Sequence, residues 1–431
     1  MTWFHIDLEA SMQTKRMIMT AVLALTLVMS GCVNSDSNID ETSENTNVEV
    51  KVDENDETAD ETETESSTVT EETTHTETSD ETNSDETNSD EINNETSEGS
   101  SDSQTSSQVA HVQDSENQES QVNLSQEELE IIQPNELGEV MIVMYHGLGK
   151  KNSAYVRTPE SFRADLETYY EMGFRPVNLS DYVDGNIEVE AGMTPIVLTF
   201  DDGNKSNFNL LEVDGEMLLD PDSAVGIIVD FNKKNPDWAL KGSFFLNGGT
   251  PFGQKGQVDY KVNWLVDNGF EVGNHSYGHE DLTDQDGAGI QKTLGKNIQE
   301  IESRIDGYTV NTLALPFGKR PKDQERYDLV TAGAYDGIAY EHKAILLVGW
   351  KPEVSVYDKS FDPLAIMRVQ SGDGDFQMIH WLEDYRNNPH KRFISDGNIN
   401  TVTVPEKLVE RMNLDLVGDK EVITYNLSET E

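Results

Sequence analysis

At 431 residues, with 35% hydrophobic content and a formal net charge of −51, the sequence is too polar and too acidic to be globular along its whole length. That charge excludes nucleic acid as a partner and argues against adhesion to an anionic membrane surface, because both would repel it. The only cysteine is Cys32, so no internal disulfide can form.

The chain opens with a targeting signal: Lys15 and Arg16 precede an apolar run over 17–29 that ends in Ser30, Gly31 and Cys32. The run is short for a bilayer span and has the charged, apolar, small-residue order of an export signal. It resembles a bacterial lipoprotein signal over residues 1–31, although Met29 stands where such signals usually carry Leu. The resemblance implies that Cys32 is acylated, becomes the mature N-terminus and anchors the protein in the lipid bilayer on the outer face of the cell membrane. Residues 32–133 are expected to be a disordered acidic linker. Beyond Cys32 they contain one lysine, Lys51, no arginine and no Phe, Trp or Tyr, and the pentapeptide ETNSD occurs twice in tandem from Glu81. Such a stretch cannot bury enough apolar surface to offset its chain entropy.

Hydrophobic patterning begins at 140–145, a buried strand that ends at His146. A helix is predicted over 159–172, with Phe162, Leu166 and Tyr169 at helical spacing, Pro159 in its first turn and Gly173 at its end. Strands follow at 175–177 and 196–200, then a helical segment at 225–235, a strand at 243–246, a helix near 263–267 and a strand at 270–273. A helix over 290–305, a strand at 312–315, a helix after Pro321 and a strand at 345–348 complete the series. This alternation predicts an α/β barrel or a doubly wound sheet, and a single barrel-like domain over 134–431 accounts for it best. His146, Asp201 with Asp202, His275 and Pro316 each follow an apolar strand closely. In a parallel barrel the carboxyl ends of the strands share one face, so these residues are expected to converge.

Two of these stretches carry chemistry. Thr199, Phe200, Asp201, Asp202 and Gly203 end a strand with adjacent carboxylates. Both can reach one site only if the backbone turns, which Gly203 permits; the alternative is a pair of solvated turn acids. His275 and His279 are expected on one side of a helical turn, where both imidazoles can grip a metal. Two His and one carboxylate leave a position open for water on zinc, and the bland alternative is a pair of surface histidines.

Taken in order, the stretch 199–203, the stretch 275–279 (HSYGH) and Pro316, Phe317 and Gly318 resemble the signature of the polysaccharide deacetylases, the NodB-like carbohydrate esterase family four. Tyr145 with His146, and the stretch 172–177, resemble the front of the poly-N-acetylglucosamine deacetylase branch. The resemblance covers essentially all of the chain after about residue 138. It implies a distorted (β/α) barrel of about seven strands, with Asp202, His275 and His279 holding a divalent metal, most simply Zn2+. Asp201 would be the general base, and the backbone N–H near Phe317 would stabilise the oxyanion. The implied reaction is hydrolysis of N-acetyl groups on an N-acetylated polysaccharide at or near the cell wall.

The match is incomplete. The family's third motif opens with an Arg that holds the catalytic Asp, whereas Ala314 stands there, with Leu315 in place of Pro. Arg368 resembles an arginine found late in the related branch and is the candidate replacement; otherwise it is a surface residue. For the general acid the preferred residue is His146. His380 fits loosely the late-strand His of other members, yet the stretch 376–382 reads equally well as one helical face. The interval 203–242 is longer than the family needs, and Trp238 or Tyr277 are weak candidates for stacking on a sugar. Three other readings remain: a glycan-binding protein that has lost activity on the same fold, an O-acetyl xylan esterase, and a glycosidase using Asp201 and Asp202. Adjacent carboxylates rarely flank a glycosidic bond at the required separation, which weighs against the last.

Overall fold

The computed structural model describes residues 123–426. The export signal, Cys32 and the linker up to residue 122 lie outside the described residues. Eight parallel strands form the main sheet: β1 (Met141–Tyr145), β2 (Phe174–Val177), β3 (Thr194–Phe200), β4 (Ser243–Leu246), β5 (Glu271–Asn274), β6 (Thr312–Ala314), β7 (Ala344–Leu346) and β8 (Val369–Gln370). Seven run in the spatial order β7-β6-β5-β4-β3-β1-β8, and β2 lies beside the first half of β3. The sheet curls. Ile366 bridges to Leu346 in β7, and three residues later Val369 pairs with Val143 in β1, so residues 366–370 span from one edge to the other. The fold is a distorted (β/α) barrel.

Local sequence explains these elements. All five residues of β1 and all seven of β3 are buried, as expected of parallel strands covered on both faces. Helix Pro159–Glu171 begins where Thr158 accepts a hydrogen bond from Ser161 N and Pro159 occupies the first turn; Gly173, at φ 80°, ends it. Its Phe162, Leu166 and Tyr169 are fully buried against the sheet, and burial of a side chain such as Leu166 contributes about 2 kcal/mol. Helix Gly287–Glu302 is capped by Asp286 and buries Ile290, Leu294, Ile298 and Ile301, one stripe at helical spacing.

Several expectations need correction. The segment read as linker is ordered at its end: Gln126–Ile132 is a helix with a Ser125/Glu128 capping box and a buried Leu129. The long interval 203–242 contains a hairpin, Leu210–Val213 paired with Glu216–Leu219, as well as the expected helix, here Ala224–Lys234. Trp238 is wholly buried against Tyr170 and Phe231, so it is a core residue and meets no sugar. Two further strand pairs were not anticipated: the hairpin Ala332–Tyr335 with Ile338–Glu341, turned by Asp336 and Gly337, and the parallel pair Thr401–Pro405 with Glu421–Tyr425.

Candidate active site and metal centre

The carboxyl ends of β1, β3, β5 and β6 open into one cleft of about 450 Å³. His146, Tyr155, Asp201, Asp202, His275, His279 and Phe317 are among its lining residues. After Phe200 the chain turns sharply: Asp202 has φ 75° and Gly203 φ 61°. Left-handed backbone at an Asp is uncommon and costs strain, and here it swings the second carboxylate to the same side as the first.

Asp201 is buried and held by a fork: Arg368 Nη1 donates to Oδ1 and Nη2 to Oδ2, each at 2.8 Å. Arg368 is itself fully buried, with further bonds to Thr199 Oγ1 and the Leu347 carbonyl. Burial pushes the Asp201 carboxyl up, but the Arg368 charge and its paired hydrogen bonds outweigh it and hold the group well below the usual range. Arg368 therefore stands beside Asp201 although Ala314 occupies the third-motif position, and it arrives on the segment that brings the barrel round. His146 Nε2 lies 4.0 Å from Asp201 Oδ2, its ring edge-on to Tyr155 at 4.8 Å. Asn207 Nδ2 donates to the His146 carbonyl. Burial lowers the His146 pKa against the pull of Asp201.

Asp202, His275 and His279 form the candidate metal centre. Asp202 Oδ1 is 3.5 Å from Nε2 of each imidazole, and the three ligand atoms lie within 4.8 Å of one another. His275 Nδ1 meets the Ala314 carbonyl at 2.7 Å, which fixes the tautomer with the proton on Nδ1 and leaves Nε2 as the free electron pair. That Nε2 is buried without a hydrogen-bond partner. An orphaned imidazole nitrogen aimed at a carboxylate and a second imidazole fits a divalent cation of the zinc type. The two histidines are not on a helix, as their spacing suggested. Ser276 (φ 59°), Gly278 (φ 79°) and His279 (φ 57°) make an irregular turn. The turn is held by Asn274 Oδ1, which accepts from Ser276 N and from Asn297 Nδ2.

Pro316–Gly318 form a short 3-10 turn in which Phe317 has φ 58°. Its exposed ring packs edge-on against His279 at 4.4 Å. His380 is not brought to the site. It lies on helix Met378–Asn387 between the rings of Phe376 and Trp381 and is absent from the cleft lining, because a helix and not a late strand carries it. Tyr277 lies under Lys296 Nζ, 3.4 Å from the ring centroid, outside the cleft lining. Tyr155, Asn204 and Val348 line the cleft without having been anticipated as site residues; the first two sit in loops that carry no periodic pattern, and Val348 lies just past β7, which ends at Leu346 and not at 348 as expected.

Residues 221–333 match the family model for polysaccharide deacetylase. No match was found among curated proteins. Among solved structures the chain is similar to the Streptococcus pyogenes deacetylase PplD in complex with acetate, at 15% identity over 57% of this chain and 97% of that one, TM-score 0.43. IcaB from Ammonifex degensii matches at 15% identity over 57% of this chain and 96% of its own, TM-score 0.41. A Bacillus anthracis protein classed as a polysaccharide deacetylase matches at 17% identity, TM-score 0.39, with 54% of this chain covered and only 64% of that chain's length spanned. At these values the likenesses carry no statement about activity. The residues matched by the polysaccharide deacetylase model contain His275, His279 and the Pro316–Gly318 turn, while Asp201, Asp202 and Arg368 lie outside them.

Proposed function

We propose that the protein is a metal-dependent deacetylase that removes N-acetyl groups from an N-acetylglucosamine-containing polysaccharide of the cell wall or its surroundings. The observation that carries this reading is the pairing of two unlike centres in one cleft: a buried carboxylate locked by Arg368, and an Asp–His–His cluster with an unpartnered imidazole nitrogen. Mere glycan binding requires neither.

Asp202, His275 and His279 would hold the metal, which when bound supplies a Lewis acid and lowers the pKa of a coordinated water. Asp201 is placed to accept a proton at Oδ2, the oxygen that faces His146. Arg368 keeps Asp201 charged and aimed, so the carboxylate is ready as a base without reorganisation. His146, across from it, is placed to return a proton to the leaving nitrogen. The backbone at Phe317 is the candidate oxyanion donor, and one donor of that kind contributes about 3 kcal/mol to the transition state. Free amine and acetate are the products. Anchoring through acylated Cys32 at the outer face of the membrane, with the acidic segment as spacer, is the setting we propose.

The test is acetate release by the full chain from peptidoglycan and from N-acetylglucosamine oligomers, with zinc, after chelation, and for Asp201→Asn. Zinc-dependent release lost in the variant supports the reading. Release from acetylated xylan alone would make the enzyme an O-acetyl esterase.

A further inference from the structure

Beside the cleft stands an aromatic cluster to which none of these roles applies. Phe376 is 50% exposed and Trp350 55% exposed, with ring centroids 5.7 Å apart and edge-on. Trp381 braces both, its Nε1 facing the carbonyls of Trp350 and Phe376 at 3.1 and 3.2 Å. The loops that carry Trp350 and Phe376 follow β7 and β8, so both lie on the face of the barrel where the cleft opens. The connection is direct. Val348, two residues before Trp350, lines the cleft. On the other side, Asp373 accepts from Arg157 Nη1 at 2.9 Å, next to the cleft residue Val156.

The backbone adds a second, independent observation. Phe376 has φ 58°, a left-handed conformation that a bulky side chain adopts only against strain. In this conformation its carbonyl accepts from Trp381 Nε1 while its ring stays half in solvent. Phe317, inside the cleft, shows the same combination of φ 58° and 56% exposure. Two left-handed Phe residues thus present exposed rings on the face where the cleft opens, whereas Phe252, at φ 60°, is wholly buried.

We propose that Phe376, with Trp350 and Trp381, is a distal subsite that stacks on a pyranose ring of the same glycan, one or more units away from the sugar being deacetylated. This rests on the deacetylase reading above. A sugar ring presents an apolar face of C–H groups ringed by hydroxyls, which suits an exposed aromatic shelf with open solvent around it. The neighbouring His380 is a polar group beside the shelf. The subsite therefore makes the enzyme prefer longer chains over short ones.

The deciding variant is Phe376→Gly, because glycine relieves the backbone strain while deleting the ring. Full-length protein with zinc is compared on the N-acetylglucosamine dimer and pentamer, reading kcat/KM for acetate release and tryptophan-fluorescence titration for binding. The expected result is a Tm equal to or above that of the parent, a loss of about tenfold on the pentamer and no change on the dimer, with Phe376→Tyr restoring the pentamer. Equal behaviour of parent and Phe376→Gly on the pentamer overturns the subsite while leaving the deacetylase reading intact. An equal loss on both lengths also overturns it, since Phe376 would then only support the cleft. So does self-association of the parent that Phe376→Gly abolishes, which would make the shelf an interface between copies. If no oligomer is deacetylated the function itself fails, and the fluorescence titration still decides whether the shelf binds the pentamer.

Discussion

The two ends of strand β5 hold two polar clusters of opposite character, four residues apart. At its start the buried Glu271 carboxylate has no cation beside it, and both oxygens are filled. Ser180 Oγ and Thr312 Oγ1 donate to Oε1, and Ser180 N and Ser243 Oγ donate to Oε2, at 2.7 to 3.1 Å. Just past its end, His275 is equally buried, yet its Nε2 has no partner. One strand thus carries a closed network, which ties β4, β5, β6 and the chain after β2 together, and an open one. A satisfied buried cluster stabilises the fold; an unsatisfied one beside a cleft is a place for a ligand.

That contrast can be broken by mutation. Asp201→Asn removes the base while keeping the shape, and acetate release should fall by about a hundredfold or more with little change in Tm. Arg368→Ala should cost about 3 to 5 kcal/mol in denaturant unfolding, because it strands the Asp201 charge in the interior, and it should lower turnover as well. An Arg368→Ala variant of normal stability and turnover would show that the fork to Asp201 contributes nothing. Glu271→Ala at the closed end leaves four donors without an acceptor and should cost about 2 to 3 kcal/mol, while the protein that remains folded keeps its activity and metal affinity. Loss of metal binding in that variant, with the fold intact, would blur the distinction between the two clusters.

A gentler probe is pH. His342 is buried behind the site; its Nδ1 meets the Val330 carbonyl at 2.8 Å and its Nε2 lies 3.1 Å from Asn274 Nδ2, an arrangement that requires the neutral ring. Burial lowers its pKa from 6.5 to about 4. Between these values the unfolded chain binds a proton that the folded one refuses. Stability from this residue is therefore complete above about pH 6.5 and is lost as the pH falls toward 4, by about 3 kcal/mol in all. Unfolding midpoints across that window should show the acid slope, and His342→Gln should flatten it.

Much of this architecture could be read from the sequence because it rests on runs and caps. The stretch 196–200 is apolar and bounded by chemistry, and Pro159 with Gly173 frames a helix. Asp201, Asp202, His275 and His279 could be found because they follow buried strands. What escaped depends on contacts far apart in sequence. β8 has two residues and no pattern of its own, yet the segment leading into it delivers Arg368 to Asp201, 167 positions away. The turn at 275–279 looks helical by spacing alone, because spacing does not encode the positive φ values of Ser276 and His279. His380 was ambiguous for the same reason: a two-residue period and a helical face share the stretch 376–382, and packing of Met378 and Leu382 into the core decides for the helix.

The central claim is that the open cluster at the end of β5 is a metal site on which catalysis depends. Chelator-treated full-length protein should be titrated with zinc by calorimetry, alongside His279→Ala, with acetate release measured at each occupancy. One zinc per chain is expected, with loss of that site in the variant and acetate release that rises in step with occupancy. Release that proceeds unchanged in the zinc-free protein, or zinc bound as tightly by His279→Ala, would contradict the claim.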